Sequence, residues 1–268
     1  MQLELIEARA SGPSQPVALL FLHGICTSAS LWQRFFLPAS AAAGFDSLAL
    51  SFRGHGRSEG RERLAYTTLS DYVADLEQTI ERLARPLVVV GFSLGGAVLQ
   101  AYLRRRSDLA GAVLLCSVPP HGLALAGLRL FFSDALAWSS LLAANQFGLR
   151  HSDPAALRRT LFSERIDPAV YAEFLTLAEE ESPLIGMQLQ GWPPFAPSPF
   201  RSDALPPMLV MGGGADRLVP PDEVRATARY YRTQATILPG MPHMLMLERN
   251  WQRAHDGLLA WLRQNVAA

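Results

Sequence analysis

The sequence contains no lysine and very little cysteine. All 24 basic residues are arginine, which excludes a lysine Schiff base and a lysine-containing phosphate-binding loop. The two cysteines, Cys26 and Cys116, are too few for a disulfide framework or a cysteine-based zinc site, and they favour a reducing compartment. Positive charge is not in excess either, because 24 acidic residues match the 24 basic ones. This balance argues against a general nucleic-acid-binding protein.

Long hydrophobic runs are also missing. No segment has about 18 uninterrupted apolar residues, so we predict no membrane span. The first nine residues lack the basic and apolar stretches of a secretory signal, so a soluble cytoplasmic protein is expected. Apolar side chains are nevertheless abundant, since 49% of the 268 residues are hydrophobic and 18% are charged. The length predicts one large domain or two small ones, and the apolar fraction predicts a sizeable core.

Apolar runs of strand length alternate with helical patterns along the chain. We predict strands in residues 3–6, 17–22, 45–50, 87–90, 112–116, 208–211 and 235–238. We predict helices in residues 31–43 (bent at Pro38), 67–83, 94–105, 220–231 and 251–264. Strand–helix–strand repetition of this kind predicts an α/β fold with a mostly parallel sheet and helices on both faces.

The alternation stops between the fifth and sixth predicted strands. Residues 119–205 contain no convincing strand and are rich in apolar residues and proline. They are predicted to form a helical cap inserted into a core made of residues 1–118 and 206–268. Prolines near the end of the insert predict a stiff linker back to the core; they are Pro193, Pro194, Pro197 and Pro199.

A candidate nucleophile follows the fourth predicted strand. The segment Gly-Phe-Ser-Leu-Gly-Gly places Ser93 between Gly91 and Gly95, with a buried strand before it and a helix after it. In a G-x-S-x-G turn the serine has a strained backbone, and the flanking glycines let the chain turn without a Cβ clash. The turn therefore predicts a reactive hydroxyl at the carboxyl end of the sheet. An ordinary glycine-rich turn is the alternative.

A serine nucleophile needs a histidine base, and six histidines compete for that role. His243 is favoured because it follows the last predicted strand, on the edge where ligand chemistry collects in such sheets. His23 and His55 lie in glycine turns and are interpreted as structural. His121, at the entrance of the insert, is a candidate for lining the site. His151 and His255 are expected at the surface.

The base in turn needs a carboxylate that fixes its tautomer. Asp216 is favoured, because it follows the strand at residues 208–211 on the same edge of the sheet. Asp203 precedes that strand and belongs to the opposite edge, while Asp222 lies in a first helical turn and suits the helix dipole. Since the sequence has no metal-ligand spacing such as H-E-x-x-H, we expect neither a metal nor an organic cofactor.

Together these motifs resemble the alpha/beta-hydrolase family, and more narrowly its single-domain esterase, lipase and C–C hydrolase branch. The resemblance rests on Phe-Leu-His-Gly ending at Gly24, Arg-Gly-His-Gly-Arg-Ser at residues 53–58, the Ser93 turn, Asp216 and His243. It implies an eight-stranded, mostly parallel sheet flanked by helices, with a helical cap over the serine. It also implies an oxyanion hole made by the backbone N–H groups of Ile25 and Leu94.

Two departures from family patterns narrow the expected activity. Ser93 stands where the epoxide hydrolases and haloalkane dehalogenases of the family carry aspartate, which argues against both. The segment Ile25-Cys26-Thr27 lacks the glycine-rich continuation of many ring-cleavage-product hydrolases. The expected function is therefore hydrolysis of carboxylic esters through Ser93, His243 and Asp216. C–C bond hydrolysis, lactone or thioester hydrolysis, a cofactor-free peroxidase-type side activity and a non-catalytic ligand-binding module remain alternatives.

The insert is expected to select the substrate. Residues 122–149 carry only two charged side chains, Arg129 and Asp134, among many large apolar ones. An apolar acyl or alcohol pocket is one interpretation, with His121, Phe131 and Trp138 as candidate substrate-binding residues. Ordinary packing of the cap onto the core is the other main one, and docking to a membrane surface is a third. The expected partner is a small apolar ester, and the expected assembly is a monomer or homodimer.

Overall fold

A seven-stranded sheet forms the centre of the protein in a computed structural model, which describes residues 1–148, 151–191 and 205–266. The strands are β1 (Leu5–Ala8), β2 (Ala18–Leu22), β3 (Ser47–Leu50), β4 (Leu87–Phe92), β5 (Gly111–Leu115), β6 (Met208–Gly213) and β7 (Ala235–Leu238). Their order is β1-β3-β2-β4-β5-β6-β7. Only the edge strand β1 runs antiparallel to its neighbour. The predicted mostly parallel α/β sheet is confirmed.

The expected number of eight strands is wrong for the described residues. The chain ahead of β2 supplies a single strand, β1, which pairs with β3 and forms one edge of the sheet. The alternating apolar residues near the start of the chain are too few for a second strand. This difference is confined to the edge of the sheet, whereas the candidate site residues follow β2, β4, β6 and β7.

Continuous apolar runs explain why the central strands are covered on both faces. Every residue of β2, β4 and β5 is buried. Phe21, Val90 and Val113 pack on the face that carries α1 (Phe36–Ala42) and α10 (Gln252–Asn265). Their neighbours in the strands pack on the other face, against α2 (Leu69–Leu83), α3 (Leu94–Leu103) and α9 (Pro221–Tyr230). Side chains that alternate between two hydrophobic clusters fix the register of the sheet.

The helix predicted for residues 31–43 is divided in the structure. A 3₁₀ turn covers Ala29–Trp32, and α1 begins only at Phe36. Pro38 therefore lies in the first turn of α1, where its missing N–H leaves no helical hydrogen bond unmade. By contrast, α2 begins near its predicted start, because Thr68 and Asp71 form a capping box there.

The chain between β5 and β6 forms helices in its described residues, with no strand among them. These helices are α4 (Ala124–Ser133), α5 (Ala135–Phe147), α6 (Pro154–Leu161), α7 (Pro168–Leu177) and α8 (Pro183–Leu189). We call them, with their connecting turns, the cap. Three of them start with proline behind a capping side chain, at Asp153, Asp167 and Ser182. The four prolines of the predicted linker lie outside the described residues.

The described part of the cap begins and ends at one place, which we call the neck. The Leu123 N–H donates to the Leu189 carbonyl over 2.8 Å. Gly122 and Gly191 have φ values of +83° and +94°, and a Cβ on Gly122 would lie 2.7 Å from the Gly191 nitrogen. Only glycine fits such a close approach with a left-handed backbone.

Across the described residues, none of the helices combines the length and the apolar character that crossing a bilayer would require.

Candidate active site

Ser93 lies in a strained turn between β4 and α3. Its φ of +50° and ψ of −111° are unusual for a residue with a side chain. The turn is possible because the chain is glycine on both sides. A Cβ on Gly91 would lie 2.5 Å from the Gly95 carbonyl oxygen, and one on Gly95 would lie 2.7 Å from the His23 carbonyl oxygen. The predicted need for small residues around Ser93 thus has a direct steric cause.

His243 and Asp216 are joined in the loops that follow β7 and β6. His243 Nδ1 lies 2.7 Å from Asp216 Oδ2. The other carboxylate oxygen accepts the backbone N–H groups of Leu218 and Val219, each over 2.8 Å. Because a carboxylate only accepts, Nδ1 carries the proton and Nε2 of the neutral ring is free to act as a base. The pair is buried, which strengthens the interaction.

One group of potential metal ligands occurs among the described residues, and it includes this pair. Cys116, Asp216 and His243 bring ligand atoms within 4.8 Å of one another. Burial and the nearby Asp216 carboxylate raise the pKa of the Cys116 thiol well above its ordinary value, which disfavours the thiolate that a metal needs. The His243–Asp216 hydrogen bond already occupies the facing ligand atoms. These residues therefore suit a hydrogen-bonded pair better than a metal centre.

Ser93 and His243 line one cavity of about 310 Å³ between the sheet edge and the cap. The volume is within the range of small-molecule sites. Most of the remaining wall is apolar, and much of it comes from the cap: Leu123, Leu130, Trp138, Leu141, Leu142, Leu161, Phe174, Met187 and Leu189. The arrangement places a serine and a histidine at the end of a largely apolar pocket.

The backbone groups predicted to form an oxyanion hole lie on the two sides of Ser93. Leu94 is the first residue of α3, where an N–H has no acceptor within the helix. Ile25 lines the cavity, and a Cβ on the preceding Gly24 would lie 3.4 Å from the Ser93 Cβ. The Gly95 N–H donates to the His23 carbonyl over 3.0 Å, so the loop after β2 is attached to the serine turn.

The three candidate substrate-binding residues have different positions. Trp138 lines the cavity, whereas His121 and Phe131 are not part of its wall. The His121 ring instead contacts Glu223 on α9, with Nε2 2.8 Å from the carboxylate. Phe131 lies on the outer side of the cap, 41% exposed, with its ring against Phe132 and Trp138. Substrate binding by His121 and Phe131 therefore stays a prediction, and Trp138 is the one of the three that lines the cavity.

Of the other predicted positions, some agree with the structure and one differs. His255 is buried, with Nε2 3.0 Å from the Ser40 hydroxyl, although a surface position was expected. His151 is exposed as predicted. Asp222 lies in the first turn of α9 and pairs with Arg129 of the cap over 2.6 Å. Asp203 lies outside the described residues.

His23 has the structural role that its glycine turn predicts. Its Nδ1–H donates to the Gly24 carbonyl over 2.8 Å, and its Nε2 accepts the Phe52 N–H over 3.1 Å. Burial and the nearby His55 lower the pKa of His23 to about 3, so the ring is neutral at ordinary pH. The neutral ring ties the loop after β2 to the chain that follows β3.

The cap contributes a buried carboxylate, Glu181, that was not predicted from the sequence. Glu181 lies beneath the loop after β2, with its Oε2 3.5 Å from His55 Nε2. Burial raises the pKa of Glu181, but the charge of His55 together with hydrogen bonds from the Tyr72 hydroxyl and the Ser182 N–H more than offsets burial and lowers it. At His55, burial lowers the pKa of the ring, but the Glu181 and Glu179 carboxylates and the Arg53 carbonyl together more than offset burial and raise it. Three consecutive acidic residues, 179–181, are the sequence signal by which it could have been found.

Comparisons with known proteins agree with the fold. Residues 19–256 match the family described as the alpha/beta hydrolase family. A Mycolicibacterium smegmatis protein named monoacylglycerol lipase is 26% identical over 267 residues, which cover 91% of this chain and 87% of that protein. Among solved structures, monoacylglycerol lipase from Paleococcus ferrophilus has a TM-score of 0.72 and 19% identity, covering 99% of this chain and 100% of the other.

A thermophilic esterase from Thermogutta terrifontis is similar to the same extent, with a TM-score of 0.71 and 22% identity over 98% of this chain and 94% of the esterase. At such identities the solved structures support the fold alone. The family match extends from β2 into α10, so it covers most of the chain and every element that carries a candidate site residue. On that evidence, the chain belongs to the alpha/beta hydrolase family.

Proposed function

We propose that this protein is a serine hydrolase that cleaves carboxylic esters with an apolar acyl or alcohol group. One observation carries the proposal: a strained serine and a carboxylate-bonded histidine line the same largely apolar cavity. A serine hydroxyl is a weak nucleophile unless an adjacent base takes its proton. His243, with its tautomer set by Asp216, is the base that the cavity offers to Ser93.

The proposed reaction proceeds through an acyl-enzyme. His243 Nε2 takes the Ser93 proton while Oγ attacks the ester carbonyl, and the carbonyl oxygen becomes an oxyanion. The N–H groups of Ile25 and Leu94 stabilise this charge, and losing one such donor typically costs about 3 kcal/mol. His243 then protonates the departing alcohol and afterwards activates water, which releases the acid. Asp216 orients His243 and stabilises its cation in both halves.

The cavity wall supports an apolar substrate. Leucine, phenylalanine and tryptophan side chains of the cap surround the space in front of Ser93. Similarity to a protein named monoacylglycerol lipase supports the same substrate class, an ester with one long apolar group.

Labelling with a fluorophosphonate probe, together with hydrolysis of p-nitrophenyl butanoate, tests the proposal. Ser93→Ala is expected to lose probe labelling and at least about 10⁴-fold in kcat, because the nucleophile is removed. Ser139→Ala changes an exposed cap serine and serves as the control, with both properties retained. Labelling of another serine, or near-normal turnover in Ser93→Ala, would contradict the proposal.

A further inference from the structure

Cys26, in the loop after β2, makes three hydrogen bonds with the cap. The Cys26 N–H donates to Glu181 Oε2 over 3.4 Å, and the Cys26 carbonyl accepts the Glu179 N–H over 2.9 Å. Its thiol donates to the Ala144 carbonyl over 3.7 Å. All three partners belong to the cap. Cys26 itself has a φ of +58°, a strained value for a residue with a side chain, which persists only when the surroundings enforce it.

This residue is next to one of the two proposed oxyanion donors. The Gly24 carbonyl shares a peptide plane with the Ile25 N–H, and it accepts the His23 ring over 2.8 Å and the Thr27 hydroxyl over 2.9 Å. The following peptide plane carries the Cys26 N–H, which Glu181 accepts. Both planes around Ile25 are therefore held, the first by the core and the second by the cap.

The Glu181 carboxylate is buried and hydrogen-bonded to the core. Its side chain is fully buried. Oε1 accepts the Tyr72 hydroxyl over 2.6 Å and the Ser182 N–H over 2.9 Å, while Oε2 faces Cys26 and His55. Tyr72 and His55 are core residues, so this cap carboxylate is fixed by the core and in turn fixes Cys26.

We propose that Glu181 is a positioning residue for the oxyanion hole. Its carboxylate holds the Cys26 amide and thereby orients the Ile25 N–H toward the developing oxyanion. The cap thus completes the hole as well as covering the substrate. The inference rests on the proposed function, because it assigns a role in the same reaction.

Glu181→Gln isolates this role. Glutamine has the same shape, but it replaces one acceptor oxygen by an NH₂ donor, so it cannot accept from both Cys26 and the Tyr72–Ser182 pair. Glu179→Gln is the matched control, with the same change of charge two residues away. Its side chain contacts Gly56 and Arg61, and its link to Cys26 is a backbone N–H that the substitution keeps.

The experiment compares turnover with binding of a transition-state analogue. The probe is 1,1,1-trifluoro-2-octanone: Ser93 Oγ adds to its carbonyl carbon, the serine proton moves to His243, and the carbonyl oxygen becomes an oxyanion in the hole. Glu181→Gln should lower kcat per titrated active site by about 10- to 100-fold and weaken the ketone by a similar factor. KM and inhibition by 2-octanol should change less than about threefold, because neither depends on the oxyanion.

A second measurement does not depend on activity. Hydrogen exchange of the Cys26 amide should be faster in Glu181→Gln than in both wild type and Glu179→Gln. If Glu181→Gln does not fold, Tyr72→Phe removes one hydrogen bond from the carboxylate and should lower kcat by about two- to fivefold with KM unchanged.

Several outcomes would overturn the inference. One is a Glu181→Gln enzyme with the kcat, ketone affinity and Cys26 exchange of Glu179→Gln. Another is a lower melting temperature with normal kcat per active site, which would make Glu181 a cap anchor only. A wild type without Ser93-dependent turnover is a different failure. It would refute the proposed function, while the exchange experiment would still decide whether Glu181 holds Cys26.

Discussion

The core and the cap differ in how completely they bury large apolar side chains. Strands β2, β4 and β5 are buried throughout. Among the described residues outside the cap, Met1 and Tyr66 are the large hydrophobic side chains that stay exposed. The cap exposes many more: Leu125, Leu128, Phe131, Phe132, Leu136, Leu142, Leu177, Leu184 and Met187. Two of these, Leu142 and Met187, also line the cavity, so they lie at its mouth.

This difference in packing suits two separate tasks, which are holding the site residues and enclosing a substrate. A densely packed sheet holds the serine, histidine and aspartate in one geometry, because side chains in such a core cannot shift independently. The cap is packed less completely, so its inner face can leave a cavity and its outer face can vary. We therefore expect substitutions in the core site to abolish turnover, and substitutions in the part of the cap that lines the cavity to change the choice of substrate.

The largest effect that tests this division is expected at Asp216. Asp216→Asn should lower kcat by about 10⁴-fold, because the amide no longer fixes the tautomer of His243. Asp222→Asn is the matched control, since it removes a carboxylate from an exposed ion pair with Arg129. Steady-state kinetics with p-nitrophenyl butanoate should find the control within about twofold of wild type, as surface ion pairs contribute little. A larger loss in Asp222→Asn would show that the acid is misassigned.

An intermediate effect is expected in the cap. In wild type, kcat/KM should rise from acetate to hexanoate esters of one alcohol, by up to about fourfold for each buried methylene. Leu130→Asn should flatten this rise by about tenfold, because Leu130 is buried in the cavity wall and the polar amide weakens apolar binding there.

The control for the cap lies on the same helix. Leu128→Asn changes a side chain that is 52% exposed and outside the cavity wall, so the chain-length profile should match wild type. If acetate were the best substrate of the wild type, the cavity would not be an acyl pocket. If both variants flattened the profile equally, general loosening of the cap would be the better explanation.

The smallest effect is expected on the stability of the core. His23 has a pKa of about 3 when folded, whereas an unfolded histidine titrates near ~6.5. Between these values only the unfolded chain binds the proton, so the free energy of unfolding falls as the pH falls, by up to about 1.4 kcal/mol per pH unit. Above pH ~6.5 the His23 ring is neutral in both states, so it no longer makes the free energy of unfolding depend on pH.

Urea unfolding at pH 7, 6 and 5 measures this dependence. In His23→Gln the free energy of unfolding should fall less steeply with falling pH, by a slope that corresponds to about one proton fewer taken up on unfolding. His151→Gln changes an exposed histidine and should show the same pH dependence as wild type. Parallel curves for wild type and His23→Gln would mean that His23 is not kept neutral by the fold.

The core was predictable from the sequence because its signals are local. A continuous apolar run, a glycine turn and the start of a helix follow one another around Ser93, so the position of the serine was readable from about ten residues. Asp216 and His243 follow strands, and strand ends of a parallel sheet meet at one edge. Their pairing over 2.7 Å follows from that topology.

The cap was predictable as helical, but its inner face was not. Apolar residues occur almost all around α4 and α5, so spacing alone does not tell the wall residue Trp138 from the outward Phe131. The position of His121 depends on Glu223, about 100 residues further along the chain. Glu181 was missed for the same reason, because it contacts a residue 155 positions away.

Because the neck joins the two ends of the cap, it bears on whether the cap segment can be exchanged. Gly122 and Gly191 bring the two ends of the cap segment together, with the Leu123–Leu189 hydrogen bond beside them. A segment whose ends meet can be lengthened, shortened or exchanged for another without altering the distance that its ends must span. We therefore expect chimeras joined at the two glycines to fold, and the substrate range of such chimeras would test whether the cap selects the substrate. An exchanged cap would also need a carboxylate in the place of Glu181.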